Sequence, residues 1–68
     1  MNMNVPNNAK VLYKFTPIGN SIIDRSTGNT YHLGLQYLVR EDNEHMINIV
    51  SRWLDQGKVE KVPGSYLS

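Results

Sequence analysis

Sixty-eight residues make one domain at most, and a chain this short buries only about 60% of the surface its unfolded form exposes. Seven Lys and Arg stand against six Asp and Glu, a net charge of +1 that is too balanced to imply a polyanionic partner by itself. The lack of cysteine excludes disulfides, thiolate metal sites and a cysteine nucleophile, whereas 40% hydrophobic content argues for a folded domain.

No apolar run approaches the roughly 18 residues of a membrane span, and the polar opening Met1-Asn2-Met3-Asn4 is unlike a signal peptide. A cytoplasmic protein without membrane contact is the expectation. Residues 1–9 hold four asparagines, a proline and no apolar periodicity, which reads as a flexible leader. The single α+β domain is expected over residues 10–63, with residues 64–68 as a tail.

Residues 10–16 form the first strand candidate, with Val11, Tyr13 and Phe15 on one side and Leu12, Lys14 and Thr16 on the other. Pro17 is expected to stop it, since proline cannot donate to a ladder. Residues 21–25 make a short second strand around Ile22 and Ile23, and Gly28 lies at the natural place for positive φ in the following hairpin turn. From Thr30 to Val39 apolar residues fall at every second position: Tyr31, Leu33, Leu35, Tyr37, Val39. That period of two predicts a half-buried central strand, with Gly34 marking a bulge or a close contact.

A helix follows Arg40-Glu41, with Asp42 or Asn43 as its cap. Met46, Ile47, Ile49, Val50, Trp53 and Leu54 cover an arc of roughly 160° at 100° per residue, and the opposite arc is polar. Gly57 is placed to end the helix, residues 58–62 read as a last strand, and Pro63-Gly64 closes it. The order is β-β-β-α-β: a small antiparallel sheet with one amphipathic helix packed on one face. The expected core joins Tyr13, Phe15, Tyr31, Leu33, Leu35, Tyr37 and Val39 to Met46, Val50, Trp53 and Leu54.

The other sheet face would mix Leu12, one of Ile22 and Ile23, Leu38 and Val62 with Lys14, His32 and Gln36. One helix, about 10–12 Å wide, roofs only two or three strands spaced near 4.8 Å. Part of a four-stranded sheet would stay uncovered, which points to association as a homodimer or with another protein.

Reactive groups are sparse. His32 and His45 lack a third ligand at local spacing, so no metal site is expected, and His45 reads as solvated on the polar side of the helix. Ser26-Thr27-Gly28 lacks the second glycine of a nucleophile elbow, and the five glycines form no phosphate cradle. The expectation is a protein that is not an enzyme and holds no cofactor. Trp53 and the tyrosines are read as core rather than as a stacking platform for bases.

Function at this stage rests on elimination. The expectation is a small binding protein that modulates or inhibits a larger macromolecular partner by occupying its surface. A phage-encoded inhibitor of a host or defence protein is one version, suggested by size and asparagine content. Leu12, Lys14, Arg25, His32, Gln36 and Leu38 are the candidate partner contacts. Alternatives are a nucleic-acid-binding domain using a basic patch, or an oligomer that sequesters a small anionic ligand. Lys10, Arg40, Arg52, Lys58 and Lys61 are the candidate nucleic-acid or anion contacts.

Overall fold

The computed structural model describes residues 10–64. The expected leader, and the tail beyond Gly64, lie outside the described residues. In chain order the elements are β1 (Val11–Pro17), β2 (Ile22–Ile23), β3 (Thr30–Tyr31), β4 (Tyr37–Arg40), α1 (Glu44–Asp55) and β5 (Val59–Lys61). The α+β class holds, with the strands divided between two sheets. One is a three-stranded antiparallel sheet in the order β4-β1-β5, and the other is the β2-β3 hairpin.

The central strand is β1, correcting the expectation for residues 30–39. Phe15 pairs with Tyr37 on one side and with Lys61 on the other. Pro17 is the last residue of β1 instead of lying beyond it, and it pairs with Val59 on one side only, where the ladder ends. Residues 30–39 do not form one strand. The Leu35 amide donates to the His32 carbonyl at 3.2 Å, which closes a turn with Gly34 at φ +86°. That is the conformation the third position of a type II turn requires. No atom lies within 4 Å of where a Gly34 Cβ would sit, so the glycine serves the turn and makes no close contact.

A second departure lies at the start of β1. Val11 pairs with Arg40 while Tyr13 pairs with Val39, so two residues of β1 advance against one of β4. This bulge sets Leu12 and Tyr13 together opposite Val39. Leu12 accordingly packs against the core and not on the open sheet face where simple alternation would put it.

The helix forms where its pattern and caps demand. The Asn43 side chain accepts the Met46 amide at 3.1 Å, and Glu44 lies in the first turn and Arg52 in the last, each matched to the dipole. Gly57 has φ +73°; its amide donates to Leu54 and the Lys58 amide donates to Trp53. Those two bonds make a Schellman ending that satisfies the carbonyls of the last turn.

The buried core is Phe15, Tyr31, Val39, Met46, Val50, Trp53 and Val59. Ring centroids of Phe15 and Tyr31 lie 5.6 Å apart, those of Tyr31 and Trp53 5.7 Å, and those of Tyr31 and Tyr37 4.8 Å. Tyr31 therefore joins the hairpin to the sheet and the helix at once, and such aromatic pairs add about 0.5–1.5 kcal/mol each beyond area burial. Three strands span roughly 10 Å, so one helix is wide enough for its side. Leu33 and Leu35 are absent from this core: they are 52% and 54% exposed. Antiparallel partners share a face, which places Lys14 with Leu38 and Thr16 with Glu60 on the side away from α1. That side is mixed in polarity.

Candidate functional site

Three reactive side chains meet where the hairpin touches the helix. Asp24 is 2% exposed and directly follows β2; its carbonyl accepts the amides of Thr27 and Gly28 and its amide donates to the Asn29 carbonyl. Its carboxylate accepts the Ser26 amide at 3.0 Å, the Ser26 hydroxyl at 2.6 Å and His45 Nε2 at 2.6 Å. His45 is exposed on the polar side of the helix, as expected, and its ring also anchors the hairpin through Asp24 and Ser26. The Ser26 and His45 hydrogen bonds hold the Asp24 carboxyl down to about 2, outweighing its burial.

Serine, histidine and aspartate together invite comparison with a catalytic triad, and the geometry departs from one. A triad uses one imidazole nitrogen for the acid and the other for the nucleophile. Here Nε2 meets both Asp24 and Ser26 (3.2 Å), and the serine proton is committed to the carboxylate. The arrangement suits a structural tie. Among the described residues no group of three or more His, Cys, Asp or Glu could hold a metal ion, and no helix is long and apolar enough to cross a membrane.

The surface offers more. Residues 32–36 are all exposed, yet the amides of His32, Leu33 and Leu35 are hydrogen-bonded. The His32 amide donates to the Tyr37 hydroxyl at 2.6 Å, and the Leu33 amide donates to Ser21 Oγ at 2.9 Å. An ordered turn therefore presents two leucines to solvent. Scattered exposed apolar residues are ordinary, but here two share one hydrogen-bonded turn. Alternation alone assigns both to the core; Gly34 between them is the sequence signal that points to a turn instead.

Of the expected partner contacts, His32 and Gln36 bracket this turn and Leu38 follows it on β4, 47% exposed. Lys14 pairs with Leu38 across the sheet, Leu12 is packed against the core, and Arg25 lies in the hairpin loop. The expected anion contacts separate. The Lys10 amide donates to Glu41, Arg40 lies 3.5 Å from Asp42, and Lys61 Nζ sits 4.7 Å over the Tyr13 ring. Arg52 and Lys58 instead join Arg25 around a cleft between the hairpin and the C-terminal half of α1. The main part of this cleft is about 600 Å³, and a smaller hollow of about 380 Å³ shares Ile23, Arg25, Trp53 and Lys58 with it. Comparison with known protein families, characterised proteins and solved structures finds no match to this chain.

Proposed function

We propose that this protein is a small, non-enzymatic binding protein that modulates or inhibits a larger protein partner by occupying its surface, with Leu33 and Leu35 as apolar anchors. The observation that carries this reading is the pair of half-exposed leucines on a turn held by three hydrogen bonds. Anchors already fixed in place lose little conformational freedom on docking, which favours affinity from a small contact area. His32, Gln36 and Leu38 supply the surrounding polar and apolar contacts. A nucleic-acid role draws less support, because Arg40 and Lys61 are engaged with Asp42 and Tyr13.

The test is affinity capture with the wild-type chain and with a Leu33→Asp/Leu35→Asp variant whose fold is verified by circular dichroism. The expected result is one stoichiometric protein recovered by the wild type and lost by the variant. Equal recovery by both would remove the turn from the interface. Light scattering that gives a dimer for the wild type and a monomer for the variant would replace the foreign partner by self-association.

A further inference from the structure

We infer that the cleft between the β2-β3 hairpin and α1 binds an extended acidic peptide segment that carries apolar side chains, through groups separate from the leucine turn. Its walls combine two features. Ile18 and Ile23, 40% and 61% exposed, stand at the side of Trp53 and leave apolar surface uncovered. Around them Arg25, Arg52 and Lys58 are exposed, and none makes a side-chain hydrogen bond or ion pair with another described residue.

Local charge decides the sign of the ligand. Three cations and one carboxylate, Asp24, line the two hollows, giving +3 − 1 = +2 where the whole chain carries +1. The carboxylate is buried and already accepts three hydrogen bonds, so it offers an incoming ligand no free acceptor and the three cations leave the cleft net positive. The helix end adds little either, because the carbonyls of Arg52, Trp53 and Leu54 are occupied by the amides of Gln56, Lys58 and Gly57. A concave wall with an excess of one sign of charge concentrates the opposite charge.

Shape and the tryptophan select a peptide over other anions. A free phosphate would leave Ile18 and Ile23 unused. Stacked bases need an open aromatic face, but Trp53 is 6% exposed, with its ring against Tyr31 and Phe15. Alternating acidic and apolar side chains match both features: carboxylates reach the rim cations while the intervening side chains cover the isoleucines.

Trp53 is the only tryptophan in the chain, so its emission reports the cleft directly. The probe is a synthetic eight-residue peptide of alternating glutamate and leucine. Comparison probes are the same peptide with lysine for glutamate, inorganic phosphate and a single-stranded oligonucleotide. Saturable change with the Glu/Leu peptide alone, weakening as salt rises, is expected. Arg25→Glu combined with Arg52→Glu should weaken that peptide by about tenfold or more and admit the Lys/Leu peptide instead. The Leu33→Asp/Leu35→Asp variant should bind the peptide as wild type does, so the two surfaces are scored separately. Silence of the Glu/Leu peptide in both emission and calorimetry would overturn the inference. So would equal binding of the Lys/Leu peptide, or an equal response to phosphate or to the oligonucleotide.

Discussion

Replacing Gly34 by valine sets two descriptions of residues 30–39 against each other. In a continuous strand the change would stabilise the protein, since glycine costs a strand about 0.5–1 kcal/mol and valine is a favoured strand residue. In the turn, Gly34 has φ +86°, where an L side chain costs about 1–2 kcal/mol and a β-branched one sits worst. The space around the site is open, so steric clash with other residues adds nothing and the whole cost is backbone strain. The two descriptions therefore differ in sign as well as in size. Stability for 68 residues is of order 3–10 kcal/mol, so the turn predicts loss of a sizeable share of it. Urea titration followed by Trp53 emission should show a lower midpoint, and melting should fall by about 4–8 °C per kcal/mol. D-Alanine at position 34, introduced by chemical synthesis, should instead raise the midpoint, since it prefers positive φ and restricts the unfolded chain. A Gly34→Val protein as stable as wild type, or more so, would refute the turn.

Two further outcomes are expected. Asp24 has a carboxyl lowered to about 2, so its stabilising contribution is complete above the unfolded value near 4 and is lost as pH falls through about 2. Between pH 4 and pH 2 the urea midpoint of wild type should drop, and Asp24→Asn should flatten that drop while starting lower at neutral pH; an unchanged acid limb would remove Asp24 as its source. Phe15→Ala should cost about 3–5 kcal/mol, comparable to the whole stability, because Phe15 is fully buried against Tyr31, Tyr37 and Trp53. Urea titration should show a midpoint lowered by about a third or more, and a cooperative melt near that of wild type would contradict this account of the core.

How much could be read from the residues alone differed by element. The helix was legible because three independent signals agree there: an apolar arc, a capping asparagine and a terminating glycine. The first strand was legible except for its bulge, which alternation cannot express, and so Leu12 was expected on the wrong face. Residues 30–39 were misread because a period of two reports spacing and not burial. Tyr31, Tyr37 and Val39 do face the core, while Leu33 and Leu35 occupy a turn that happens to keep the same rhythm. The Asp24–His45 contact joins residues 21 apart, and nothing local announces it. The cleft is half visible: Arg52 and Lys58 read as anion contacts and Arg25 as a partner contact, but their convergence depends on the hairpin leaving the main sheet, which only tertiary packing decides.

That departure of the hairpin has a mechanical consequence. β2 and β3 share their ladder with each other and contribute no rung to β1, β4 or β5. The pair is held to the larger body by Tyr31, by Ile22 and by the carboxylate clasp to His45, so its attachment rests on side chains and not on backbone rungs of the larger sheet. Loss of the Asp24–His45 clasp or of the Tyr31 ring would therefore loosen the hairpin's hold on the body, although the three-stranded ladder shares no rung with it.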